Sequence, residues 1–240
     1  MSQDVLLEAL RTNDDPDDNP DPAAFIEFGN AVGAATEATF VDAMAGFVDL
    51  DRVLRYMAVD RAIKNWDGVT AFYWAERSHN FYWYHDNGAQ GLFHLIPWDL
   101  DQTMWRNDPY MDPADLHADR QVPNWNVKPL SCDPISVWDS GGEVTVIPSG
   151  CDPFINLLAA TSWDQFAAIG AELLEGPFDF DTMNERVTKW ASQIAAAVDE
   201  DPVISPQSWE SLVEDFRGIL QKNVEDFRAH LEEGYVVEEP

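Results

Sequence analysis

The spacing of apolar and polar positions changes period twice along the chain. Between Asp49 and Trp66, Leu50, Val53, Leu54 and Met57 recur on one helical face, and Asp49 stands where an N-cap belongs. Upstream, residues 23–31 and 37–47 read as helices divided by a turn at Gly33, and residues 2–11 as a short helix. Beyond Trp66 the pattern becomes β-prone. His79-Asn80-Phe81-Tyr82-Trp83-Tyr84 and the run from Gly91 to Pro97 flank the turn signal Asp86-Asn87-Gly88, which predicts a β-hairpin. Residues 106–151 are rich in proline and polar residues, have little periodicity, and read as a long loop insertion. The helical period then returns over Asp152–Ala160, Trp163–Leu174, Phe180–Val198 and Pro206–Leu231. On the last of these, Trp209, Leu212, Val213, Phe216, Leu220, Val224, Phe227 and Leu231 make one apolar stripe, the mark of a core or helix-partner face.

These elements predict an α+β fold, mostly helical, with a central β-hairpin and a C-terminal helical bundle. The 240 residues suffice for one good core and do not demand two domains. Two regions are expected. Residues 1–22 hold the N-terminal helix and an acidic linker, in which the prolines of NDDPDDNPDP cannot continue a helix. That linker lacks the glycine a calcium loop needs for its turn. Residues 23–240 form the folded domain.

Charge narrows the partners. There are 44 acidic residues against 14 basic ones, a formal net charge of −30. Such a surface repels phosphate backbones and anionic lipid, which argues against nucleic-acid and membrane-surface binding. Solvated surface charge is its ordinary explanation. No apolar run approaches the ~20 residues that span a bilayer. The opening MSQDVLLEAL has neither the positive start nor the apolar stretch of a secretion signal, so the chain reads as cytoplasmic or as cut from something longer. Cys132 and Cys151 lie in a stretch rich in Asp, Pro, Ser and Gly, where a disulfide and two unrelated thiols fit equally well.

Three short strings carry candidate chemistry: Asn65-Trp66-Asp67, His79-Asn80 and Pro97-Trp98-Asp99-Leu100-Asp101. The first ends a helix, the second opens the hairpin and the third closes it, so Asp67, Asn80 and Asp99 should meet. Magnesium takes hard oxygen ligands, a carboxylate or two beside phosphate oxygens. Protein kinases use a catalytic-loop Asp, an Asn a few residues on, and a later metal-binding Asp, in that order. On spacing alone, structural roles and metal binding explain the strings equally well. A glycosidase would need two carboxyls flanking a bond. Asp99 and Asp101 on an extended chain would point the same way, which suits a metal better.

The run Val48-Asp49-Leu50-Asp51-Arg52-Val53-Leu54-Arg55-Tyr56-Met57-Ala58-Val59, the three strings, Phe93-His94-Leu95-Ile96, and the tail with Phe227-Arg228-Ala229-His230-Leu231 together resemble the CotH (spore-coat-protein-H-like) kinase family from about residue 22 onward. The resemblance implies an atypical kinase-like fold, here its catalytic C-lobe, that uses ATP and Mg²⁺ or Mn²⁺ to phosphorylate Ser or Thr hydroxyls of a protein. It implies Asp67 as the catalytic aspartate, Asp99 as a metal ligand, Asn80 as a second, and Asp101 as a further ligand or a partner to one. His79 and Trp98 would shape the site. It also implies a bacterial cell-surface or extracellular location. Two departures stand out. The segment 68–79, GVTAFYWAERSH, is long for the family and reads as an insertion. No lysine precedes Lys64, and Gly29 and Gly33 lack the spacing of a phosphate loop. The ATP-holding N-lobe is therefore expected elsewhere, in a longer parent or a separate chain. The alternative is a non-catalytic coat or interaction protein that keeps the fold.

Overall fold

A computed structural model describes residues 22–65, 67–73, 80–86, 91–104, 125–139 and 142–239. The expected helix over 2–11, and the acidic linker up to residue 21, lie outside them.

Helix α1 spans Ala23–Ala34 and α2 spans Phe40–Met44. Gly33 sits inside α1 rather than dividing two helices, and the break falls at residues 35–39, where Thr36 and Thr39 bond to one another. Helix α3, Leu50–Ala62, starts as its sequence predicts: the Asp49 side chain accepts from Arg52 N at 3.2 Å. Its end comes earlier than Trp66. Lys64 N donates to Arg61 O and Asn65 N to Asp60 O, each at 3.0 Å, with Lys64 at φ 48°. This is the two-bond Schellman stop, with lysine in the left-handed position that glycine usually fills.

Strand β1 is Phe72–Tyr73, β2 is Phe81–His85 and β3 is Phe93–Pro97. Strands β2 and β3 pair antiparallel with Trp83 opposite Leu95 and Phe81 opposite Pro97. The alternation then sorts the side chains. Trp83, Phe93 and Leu95 pack on the core, while Tyr82, Tyr84 and Ile96 face solvent. Phe93 N donates to Phe47 O at 2.7 Å, which fastens the hairpin to the chain entering α3.

The long-loop expectation over 106–151 is corrected in its second half. It contains β4 (Val127–Lys128), β5 (Ile135–Asp139), β6 (Gly142–Ile147) and a 3₁₀ turn at Ser149–Cys151. Strands β5 and β6 form a second antiparallel hairpin, and β1 joins its other edge with Phe72 opposite Ile147. Part of the segment read as an insertion is thus a sheet strand. Cys132 and Cys151 are joined as a disulfide across this region, with Cα atoms 5.6 Å apart.

Helix α4 runs Pro153–Leu174 behind an Asp152 cap, which accepts from Ile155 N at 2.9 Å. The two helices expected there are one, bent at Ser162 (φ −133°, ψ 16°). Helix α5 is Phe180–Glu200 and α6 is Pro206–Glu233; β7, Val236–Val237, then pairs parallel with β4. The core forms where α1, α3, α4 and α6 meet the first hairpin, around Phe28, Leu54, Trp125, Leu158, Phe166 and Phe227. The α6 stripe is buried at Leu220, Val224 and Phe227 and thins toward Leu212, which is exposed. The architecture is α+β, mostly helical, with three small sheets among the described residues.

Candidate active site

The turn that follows α3 carries Asp67. Asn65, fully buried, gives its Nδ2 to Asp60 Oδ1 at 2.8 Å, and Ala71 N closes onto Gly68 O at 3.0 Å. Asp67 lies between these fixed points and is half-buried. Asn80, at the start of β2, holds φ 55° and donates from Nδ2 to Asp67 Oδ2 at 2.6 Å. Trp98 N donates to Asn80 O at 2.8 Å, so the end of the hairpin returns to its beginning. Asp99 follows in the left-handed region, φ 52°, and Leu100–Gln102 make one 3₁₀ turn. The chain then returns to α3: Met104, φ 53°, donates its N–H to Ile63 O at 2.6 Å, and Asn223 Nδ2 of α6 reaches Met104 Sδ at 3.4 Å.

The non-glycine residues at positive φ among those described are Lys64, Asn80, Asp99 and Met104, and they mark the loop ends around this site. Each such residue costs about 1–2 kcal/mol, somewhat less for Asn and Asp. Strain of that kind persists where the surroundings over-determine it, and it concentrates at functional sites.

Asp67 and Asn80 are joined directly, and Asp99 comes next to the residue that bonds Asn80. Asp99 and Asp101 are both exposed. The extended chain expected to aim them together is absent, because Asp99 is left-handed and Asp101 sits in the 3₁₀ turn. Among the described residues no three or more of His, Cys, Asp and Glu gather into a group that could hold a metal. Trp98 is 59% exposed, its ring edge-on to Tyr82 at 6.1 Å. His79 lies outside the described residues.

Charged residues that the sequence reading passed over lie behind this turn. Asp60 and Arg61 are buried on the inner face of α3. Burial pushes the Asp60 carboxyl up to about 7, against the Asn65 hydrogen bond and the Arg61 charge. Burial likewise brings Arg61 down to about 10, opposed by Asp60, Glu233 and Asp226. Lys64 pairs with Asp226 of α6, which also takes Lys222 at 2.8 Å. Burial holds Lys64 below the usual lysine value despite Asp226. The sequence did carry a signal: Leu50, Val53, Leu54 and Met57 continue at helical spacing onto Asp60 and Arg61, which places two charges on an apolar face.

Over 94 residues the chain is 30% identical to the inner spore coat protein H of Bacillus subtilis (strain 168), a stretch covering 39% of this chain and 21% of that protein. The match thus spans about a fifth of the relative's length. The family described as CotH kinase protein matches residues 8–233, nearly the whole chain and every element from α1 to α6, and the chain belongs to that family.

Proposed function

We propose that this chain carries out metal-dependent phosphoryl transfer from ATP to Ser or Thr hydroxyls of a protein, as the catalytic portion of a CotH-like kinase. The observation that carries the reading is the 2.6 Å hydrogen bond from Asn80 Nδ2 to Asp67 Oδ2, beside the hairpin closure in which Trp98, the residue before Asp99, bonds Asn80 O. Asp67 orients the acceptor hydroxyl and takes its proton. Asn80 spends its N–H on Asp67, and this leaves its amide oxygen as an acceptor. That oxygen and the Asp99 carboxylate are hard donors of the kind Mg²⁺ or Mn²⁺ takes, with Asp101 as a further ligand or a partner to one. The cation, when bound, offsets the charge of the transferred phosphoryl group. A chain of net charge −30 needs that offset to hold a triphosphate at all. The lobe that grips ATP is either further sequence of a longer protein or a separate partner. The printed name of the B. subtilis relative points to a bacterial coat or surface location.

The test is transfer of label from γ-labelled ATP, with Mn²⁺ or Mg²⁺, to a generic protein acceptor such as casein, by the chain together with the lobe that grips ATP. Asp67→Ala and Asp99→Ala should each abolish it; rates equal to the unsubstituted chain would overturn the assignment. A non-catalytic interaction protein is the competing reading. It draws on the exposed aromatic face of Tyr82, Tyr84 and Trp98. Calorimetry separates the two, since ATP binding with Mn²⁺ argues for the kinase.

A further inference from the structure

We propose that Asp60 is a positioning residue for Asp67: its buried carboxylate, acting through Asn65 and Gly68, sets the turn that presents Asp67 to Asn80. Asp60 is 5% exposed and Asn65 fully buried. Asp60 holds Asn65 twice, by its backbone carbonyl to Asn65 N at 3.0 Å and by Oδ1 to Asn65 Nδ2 at 2.8 Å. The chain beyond Asp67 comes back to the same pair. A methyl group at Gly68 would sit 2.5 Å from Asn65 Nδ2, 2.7 Å from Asp60 Oδ1 and 2.9 Å from Asn65 Cγ. Residue 67 is therefore bracketed. Asn65 before it is bonded to Asp60, and Gly68 after it lies against Asp60 with no room for a side chain.

A buried carboxylate is a costly way to end a helix, because burying charge is penalised and the Schellman bonds need only backbone groups. What the carboxylate adds is a fixed position for Asn65 and Gly68, one on each side of Asp67. Catalysis is sensitive to that, since displacement of a catalytic group by about 1 Å can cost on the order of a hundredfold in rate.

The proposal rests on the kinase reading only for its kinetic consequence, so the test has two readouts. The first is independent of activity: the side-chain amide resonances of Asn80 in ¹H–¹⁵N spectra, which report its bond to Asp67. Asp60→Leu removes the acceptor for Asn65 Nδ2, Gly68→Ala wedges the turn while keeping the buried pair, and Asp60→Asn retains an oxygen acceptor. Asp60→Leu and Gly68→Ala should each shift or broaden the Asn80 amide pair, and Asp60→Asn should leave it in place. The second readout is transfer: a loss of about ten- to a hundredfold in kcat for Asp60→Leu and Gly68→Ala at a KM for ATP within about twofold, and recovery to within about threefold for Asp60→Asn. Unmoved Asn80 resonances in folded Asp60→Leu, or in Gly68→Ala should the first not fold, would overturn the positioning role. Absence of transfer by the unsubstituted chain with the ATP-gripping lobe supplied would instead count against the kinase reading, with the resonances still deciding this one.

Discussion

Asn80 donates its side-chain amide to Asp67 across thirteen positions of sequence, at 2.6 Å, while its own backbone is held at φ 55°. Side chain and backbone thus make separable demands. Asn80→Ala and Asn80→Gly both remove the amide and should both lower phosphate transfer by at least about a hundredfold. They should differ in stability. Alanine must hold a left-handed backbone that glycine adopts freely, so Asn80→Ala should unfold in urea with about 1 kcal/mol less stability than Asn80→Gly. Equal stabilities would mean that residue 80 relaxes out of this conformation.

Asp60 should make stability fall as pH rises. Burial holds its carboxyl up at about 7, whereas the unfolded chain releases that proton in the ordinary carboxylate range. Between the two values the folded state binds more protons. Its contribution is therefore fully present at low pH, declines through this window and levels off above about pH 7. Asp60→Asn removes the titration. From about pH 4 to about pH 7, urea unfolding should show the Asp60→Asn chain gaining roughly 2–4 kcal/mol relative to the unsubstituted chain. His230, which burial holds below the usual histidine value, titrates in the opposite sense in both proteins and cancels in the difference. A flat difference would place Asp60 in contact with solvent.

Local signals carry much of this fold. Asp49 before an apolar face announces α3, and alternating aromatics announce β2 and β3. The hairpin's closure makes the meeting of Asp67 and Asn80 readable from the order of the strings alone. What escapes the sequence is non-local or hidden by composition. Strand β1 is two residues long and exists because Phe72 pairs with Ile147, far along the chain. The stop of α3 at Ala62 depends on Lys64 taking a glycine-like backbone, which no neighbouring residue signals. Gly33 reads as a break, yet a glycine inside a helix costs only about 1 kcal/mol and α1 absorbs it. Asp60 passes as surface charge in a very acidic chain. Its burial shows only when the apolar stripe is followed one turn further.

The disulfide should contribute stability through the loop it closes. Cys132 and Cys151 are 19 positions apart, and closing a loop of about that size removes roughly 3 kcal/mol of unfolded-chain entropy. Cys132→Ser with Cys151→Ser, or reduction by dithiothreitol, should lower the urea midpoint by a matching amount. Transfer should be unaffected at temperatures where the chain stays folded, because the bridge lies in the β5–β6 region rather than at Asp67. An unchanged midpoint would show that the reduced chain already keeps these ends together when unfolded.

Two glycines test whether backbone or side chain meets an added methyl. Gly150 is buried, and its Cβ would overlap Val127 O and lie 2.9 Å from Val127 C and 3.2 Å from Pro129 Cδ. Val127 belongs to β4, which pairs with β7, and Asn126 beside it donates Nδ2 to Gly234 O at 2.8 Å. Relief of the overlap must shift that whole junction, so Gly150→Ala should cost more than about 2 kcal/mol. Gly170, inside α4, would meet mainly the Leu231 side chain: Cδ2 at 2.5 Å, Cδ1 at 2.7 Å and Cγ at 3.1 Å. A leucine end can rotate, and alanine gains about 1 kcal/mol of helix propensity over glycine. Gly170→Ala should therefore fall within about 1 kcal/mol of the unsubstituted chain. Urea unfolding of the pair measures the contrast directly, and a Gly150→Ala chain as stable as Gly170→Ala would mean that β4 is not seated against the turn before α4.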